Sequence, residues 1–423
     1  MKILKSPWVW LPSLYFAEGL PYVIVNTLSV IMYTNLEIPN AEMAFYTSWL
    51  NFPWVIKPFW SPIVELLKTT RWWVVTMQFV LGVSFALVAL TLPLDNFFRY
   101  TLAFFWLAGF SSATHDIAAD GFYMEALNEG QQSFFVGIRN TFYRIAMVSG
   151  QGLVVILAGK MELIMAIKDA WLITMLVVAS AMVIFSLYHK FTLPKDSLEK
   201  DEEGVKTVEE VVVEFFNVFK EFLLKKNILL ILSFLLLYRL GEAQLLKIAY
   251  PFLSKSTEAG GLGLATDQIG FIYGTVGMIA LTLGGILGGV LVYRNGLKYW
   301  FWWMMLAVNL PNLVYVFLAV YMPQSLVIIS SAVIIEQFGY GLGFTAFVMY
   351  LILIAEGKHK TAHYAIGTGF MALGVMLPGM VSGYIQELLG YKNFFIWVVL
   401  CGLPAFVVAY FLKIDPEFGK GKK

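Results

Sequence analysis

Charge is missing from most of this chain, and that absence constrains its fold more than any other feature. From Trp8 to Leu412 long apolar stretches recur with only a handful of ionisable residues inside them. Hydrophobic residues make up 59% of the 423 positions and charged residues 13%, too much apolar surface for a soluble domain to keep dry. One bilayer crossing needs about 20 apolar residues, and the runs have that length. A crossing segment must satisfy its own backbone hydrogen bonds in hydrocarbon, so runs this long are helices rather than barrel strands.

Span length and loop signals predict twelve helices, over residues 8–33, 41–65, 72–93, 98–127, 133–159, 169–189, 227–253, 267–292, 299–321, 325–355, 362–388 and 391–413. The expected fold class is an all-α integral membrane protein with twelve transmembrane helices in two six-helix halves. The longest polar interval sets the organisation: a first half over 1–190, a linker over 191–226 and a second half over 227–423. Within the linker, Val208, Val211, Val212, Phe215, Phe219, Phe222 and Leu223 fall at helical spacing opposite Glu209, Glu210, Glu214 and Glu221. This predicts an amphipathic helix lying either on the membrane surface or on the protein's cytoplasmic face.

Lysine and arginine are retained on the cytoplasmic side of a membrane. Lys2, Lys5, Lys68, Arg71, Arg294, Lys298, Lys358, Lys360 and the tail lysines fall on one side, which places both termini and the linker in the cytoplasm. The first apolar run is too long for a cleaved signal and reads as span 1. The lone cysteine, Cys401, excludes an intrachain disulfide, and a net charge of +1 gives no hint of a nucleic-acid partner. Bilayer and small-molecule substrate are the expected partners, and the chain is expected to act as a monomer.

The intramembrane charges are distributed unevenly. Glu18 lies on span 1, Lys57 on span 2, His115, Asp116 and Asp120 on span 4, Arg139 and Arg144 on span 5, Arg239, Glu242 and Lys247 on span 7, and Glu336 on span 10. Spans 3, 6, 9 and 12 carry none in their interiors. A charge in lipid costs at least a few kcal/mol, so these residues face protein or a water-filled cavity and pair with one another. A period of three in both halves is the pattern of a transporter built from three-helix repeats. At 1.5 Å per residue, Glu18, Asp116, Arg144, Arg239 and Glu336 all fall near the midplane.

Two loops carry a further signal. Gly289 to Lys298, with Arg294 and Lys298, is similar to the major facilitator superfamily loop signature, and the matching place in the first half holds Glu65 and Arg71. Acid–base pairing there is expected to latch one conformation. Trp72, Trp73, Trp300, Trp302 and Trp303 sit near span ends and read as interfacial anchors, whereas Trp106 lies deeper, at a level where it can face a sugar ring. Gly284, Gly285, Gly288 and Gly289 read as a close-packing stripe. No phosphate-loop motif, metal-ligand cluster or cofactor signature is present.

Five runs together resemble one family. Tyr15-Phe16-Ala17-Glu18-Gly19-Leu20-Pro21-Tyr22, Lys57-Pro58-Phe59-Trp60-Ser61-Pro62, Asp116-Ile117-Ala118-Ala119-Asp120-Gly121, Tyr238-Arg239-Leu240-Gly241-Glu242-Ala243 and Glu336 to Phe347 resemble the AmpG-type muropeptide permeases of the major facilitator superfamily. The resemblance implies proton-driven import of anhydro-muropeptides or related amino-sugar glycans across a bacterial inner membrane. The Asp116 to Gly121 run is also similar to acetyl-coenzyme A transporters, so an anionic metabolite remains an alternative substrate. An integral-membrane enzyme using His115 and Asp116 is a third reading, without a nucleophile or metal cluster to support it. Under the transporter reading Glu18, Asp116, Asp120, Glu242 and Glu336 carry protons. Arg144, Arg239, Lys57, Tyr123 and Trp106 bind substrate.

Overall fold

The computed structural model describes residues 6–61, 64, 68–127, 129–194, 208–355 and 360–420. The fold is all-α, with no strand among the described residues. Among the described residues nine helices are, by length and composition, apolar enough to cross a membrane. Helix α1 (Pro7–Asn35) matches span 1. Span 2 is broken into α2 (Asn40–Trp49), α3 (Phe52–Ile56) and a 3₁₀ turn at Lys57–Phe59. Then follow α4 (Thr70–Thr91) and α5 (Phe97–Ala126), the latter a 30-residue helix whose charges keep it out of the nine. Helix α6 starts at Glu129–Val148 and continues through a π-helical segment, Ser149–Val154, into Val155–Glu162. Helix α7 (Ile167–Thr192) closes the first set.

Helix α8 (Val208–Leu223) is the expected linker helix. After it come α9 (Ile228–Leu237), α10 (Leu240–Ser254), α11 (Thr266–Asn295), α12 (Leu297–Tyr321), α13 (Leu326–Ala355), α14 (Lys360–Leu400) and α15 (Leu403–Tyr410). Inside α14, Gly390 adopts φ 69°, a left-handed conformation that suits glycine, and it falls between the expected spans 11 and 12. Span 7 is split at Tyr238–Arg239, where Arg239 leaves helical geometry at φ −105° and ψ 15°.

The chain forms two compact units. The first holds residues 1–36 and 56–216; the second holds 37–55 and 217–423, so α2 packs with the later part of the chain. In the first unit α1 packs on α5 and α6, and α4 on α5 and α7. Its core gathers Trp10, Leu14, Tyr15, Ala118, Phe122 and Phe135. In the second, α13 packs on α11 and α12, while α14 packs on α2 and α10, around a core that includes Phe234, Tyr238, Phe301, Phe347 and Tyr350.

Small residues allow these approaches. A Cβ on Gly341 of α13 would sit 1.9 Å from Leu281 O, and one on Gly284 of α11 would sit 2.2 Å from Phe338 O. The packing reading of the glycine stripe therefore holds at Gly284. Gly288 likewise lies against Thr345, whereas a Cβ on Gly289 would meet nothing within 4 Å. Large apolar side chains face outward elsewhere, including Leu163, Leu229 and Leu388, as expected of surfaces that meet lipid. Val218 and Phe222 of α8 are buried against Ile366 of α14, which docks the linker helix on the second unit. Gly341→Val is expected to lower stability by about 1–3 kcal/mol by forcing α11 and α13 apart. Gly289→Val should change it little, and unfolding in mixed detergent micelles checks both.

Candidate functional site

The first unit brings its charges together around α5. Asp116 and Asp120 stand one helical turn apart, so both project from one face. Lys57, in the 3₁₀ turn that interrupts span 2, donates through Nζ to Asp116 Oδ2. Arg139 on α6 donates through Nη2 to Asp120 Oδ1 at 2.9 Å. The same oxygen accepts the Tyr15 hydroxyl at 3.2 Å. The Arg139 guanidinium also lies 4.6 Å from the Tyr15 ring centre and 5.3 Å from that of Tyr123, so its flat faces meet two aromatic rings.

Glu18 completes the group. It is 6% exposed, its carboxyl stands beside those of Asp116 and Asp120, and its Oε2 has no hydrogen-bond partner among the described residues. Asp116 and Lys57 side chains are 18% and 30% exposed, and Glu18 is more deeply buried than either. Three carboxyls thus face two cations.

The second unit repeats one part of this arrangement. Arg239, at the break between α9 and α10, donates through Nε to Glu242 Oε2 at 2.8 Å and through Nη2 to the Tyr340 hydroxyl at 2.7 Å. Its guanidinium lies 5.4 Å and 5.2 Å from the Tyr340 and Phe344 ring centres. The helix break brings the arginine's own residue out of the regular ladder, a device common at binding sites of transporters. Glu336 is buried on α13 and accepts from Gln337 Nε2 at 2.9 Å. In each unit an arginine binds one acid and is flanked by two aromatic rings.

Several residues singled out in the sequence are placed elsewhere. Arg144 is exposed on α6, and the acid-binding arginine is Arg139, five residues earlier. Lys57 is already engaged by Asp116. Trp106 stacks on Phe110 at 5.8 Å. Of the expected latch, Glu65 lies outside the described residues. Arg71 donates to Lys190 O and Leu193 O and so caps the end of α7. Arg294 and Lys298 are exposed, and the neighbouring Leu297 N–H is taken by Phe418 O at 2.9 Å. His363 is buried, with its ring centre 5.7 Å from that of Phe222.

A polar chain was not foreseen. Gln78 on α4 bridges His115 Nε2 on α5, 2.9 Å away, and His189 Nδ1 on α7, 2.8 Å away, while His189 Nε2 lies 3.0 Å from Ser13 Oγ on α1. Four helices are tied together by uncharged hydrogen bonds. His115 is occupied in this chain rather than facing a substrate, which removes the geometric basis for a His115–Asp116 catalytic pair. Among the described residues no group of three or more histidine, cysteine and acidic side chains is placed to hold a metal ion.

Comparison with solved structures decides the fold. The nucleoside transporter NupG aligns over 97% of this chain and 100% of its own with a TM-score of 0.70 at 17% identity, and a D-xylose–proton symporter over 98% of each at a TM-score of 0.67 and 12% identity. The chain has the major facilitator fold. By sequence it is similar over 93% of its length to the Escherichia coli K12 anhydromuropeptide permease, at 25% identity and 77% of that protein's length. It is equally similar, at 25% identity, to a Rickettsia conorii protein described as putative transporter AmpG 4, covering 94% of it. No family model matches the chain. The similarity to the AmpG-type permeases therefore extends over both units, and the chain is a multi-pass membrane transporter.

The paired charges make a direct prediction. Lys57→Met leaves the Asp116 carboxylate without its counter-ion and should cost about 1–3 kcal/mol, less than a fully buried pair because both groups are partly solvated. Adding Asp116→Asn should recover most of that loss. Unfolding of the two single variants and the double variant in micelles measures the coupling.

Proposed function

We propose that the chain is a proton-coupled importer of anhydro-muropeptides or related amino-sugar glycans across a bacterial inner membrane, with both termini and the linker cytoplasmic. The observation that carries the proton coupling is the uneven balance around α5. Lys57 and Arg139 neutralise Asp116 and Asp120, which leaves Glu18 as the carboxyl without a counter-charge. A proton on Glu18 makes the group neutral overall, and a neutral group crosses between conformations without an uncompensated charge in a dry environment. Loss of that proton leaves one net negative charge beside two cations that are held by fixed hydrogen bonds.

The substrate reading is supported by the similarity to an anhydromuropeptide permease and by the two arginine sites. In each unit a guanidinium set between aromatic rings offers a planar donor fork to a carboxylate and flat apolar surface to a sugar ring. Arg239 is the expected anion ligand of the second unit. In the first, Arg139 takes the role foreseen for Arg144, with Tyr123 and Lys57 beside it. Glu242 and Glu336 are the further proton carriers of this reading.

Uptake into sealed vesicles tests it. An imposed pH gradient should drive accumulation of labelled anhydro-muropeptide above equilibrium, while acetyl-coenzyme A should not accumulate. Glu18→Gln should abolish accumulation entirely while leaving exchange of substrate across the membrane, since the amide keeps the size and removes the titration. Asp116→Asn and Asp120→Asn are expected to lose accumulation as well. Wild-type pH dependence in all three variants would remove the α5 group from the coupling.

A further inference from the structure

Helix α10 carries one cation that no acid neutralises. Lys247 is 4% exposed, and its Nζ donates to Thr47 Oγ1 of α2 at 3.2 Å. No carboxylate stands beside it among the described residues. Thr47 spends its own hydrogen on Met43 O at 2.7 Å, so it offers Lys247 a lone pair and nothing else. An ammonium has three donors, and two of these are unused. Next to Thr47, the Ser48 hydroxyl is fully buried and has no hydrogen-bond partner among the described residues. Ser48 and Lys247 meet at Gly379 of α14, where a Cβ would lie 2.6 Å from Ser48 Oγ and 3.5 Å from Lys247 Cγ.

Buried charge without a counter-ion costs several kcal/mol, and an orphan hydroxyl adds to it. A hydrophobic side chain of the same length would pack there at no such cost. The retained ammonium and the free hydroxyl are together the donor set that a carboxylate needs: one positive charge and hydrogen-bond donors from two sides. A lone cation matches a monoanion rather than a dianionic phosphate.

We infer that Lys247 and Ser48 form a carboxylate subsite for the transported molecule, with Thr47 holding the ammonium in the conformation described. The inference rests on the glycan-transporter reading above and specifies which substrates that transporter prefers. Helix α2 covers the ammonium and is fastened to α14 by Asn40 Nδ2 to Gln386 Oε1 at 2.6 Å and by Ala41 N to Glu387 Oε1 at 2.8 Å. A carboxylate that enters between α2 and α14 replaces the Thr47 oxygen at Lys247 and accepts from Ser48 Oγ once α2 closes on it.

The test is equilibrium binding to the full-length protein in micelles. It compares the disaccharide of N-acetylglucosamine and anhydro-N-acetylmuramic acid with its carboxamide, which keeps the shape but removes the charge and exchanges one acceptor oxygen for a donor nitrogen. The unaltered protein should prefer the acid by about ten- to hundredfold, the range of a charge-assisted hydrogen bond. Lys247→Met should bind acid and amide alike, at the affinity the unaltered protein shows for the amide, and Lys247→Arg should restore part of the preference. Without ligand, Lys247→Met should melt at a higher temperature, because a buried charge has been removed. A preference kept in Lys247→Met, or a variant that melts lower or fails to fold, makes Lys247 a structural lock and overturns the inference. Tight binding of both compounds without preference by the unaltered protein overturns it and leaves the glycan reading standing. Binding of neither overturns that reading and the subsite with it.

Discussion

Everything in this molecule follows from how little an apolar environment tolerates an unmatched charge. The spans are helical because backbone amides have no water to turn to, and their ionisable side chains gather for the same reason. Lys57 meets Asp116, Arg139 meets Asp120, and Arg239 meets Glu242. Against that background of pairing three departures stand out among the described residues: Glu18 in the first unit, and Glu336 and Lys247 in the second. In the proposed reading a proton completes the electrostatics at the glutamates and an anion does so at the lysine.

Aromatic rings add a second layer. Arg139 and Arg239 are each set over two rings, which keeps their planes oriented without using up their donors. A guanidinium fixed in this way loses little freedom when it binds, so more of the interaction appears as affinity. The uncharged chain through Ser13, His189, Gln78 and His115 works differently. It ties four helices with groups that carry no net charge, and it backs the helix that holds both aspartates.

Much of the architecture is legible in the residues, because span length is a one-dimensional quantity. The boundary at Gly390 was readable from span length, and the linker helix from the helical spacing of its apolar residues. The break after Trp49 was harder: Pro53 lacks the amide that would bond Trp49 O, so the helix ends a turn before the proline itself. Depth along a helix was also readable, whereas facing was not. Arg139 and Arg144 are five residues apart, which turns them about 140° from each other, and only the folded packing tells which one meets Asp120. Gln78 and His189 escaped notice because they are not charged at neutral pH and lie on spans without ionisable interiors. The burial of His363 depends on Phe222, far away in sequence, and no local pattern announces such a contact.

The π-helical segments at Ile24–Leu28, Ser149–Val154 and Gly270–Gly277 impose a discipline on chain length. A π turn accommodates one residue more than an α turn of the same rise, and each extra residue rotates everything beyond it by about 100°. In α1 the segment separates Glu18, which faces the aspartates, from Tyr33, which bonds Thr101 at 2.9 Å. Removing one residue there would straighten the helix and keep both ends apolar, yet only one of these two partners would remain on its correct side. Substitutions in such a stretch are negotiable, while insertions and deletions are not.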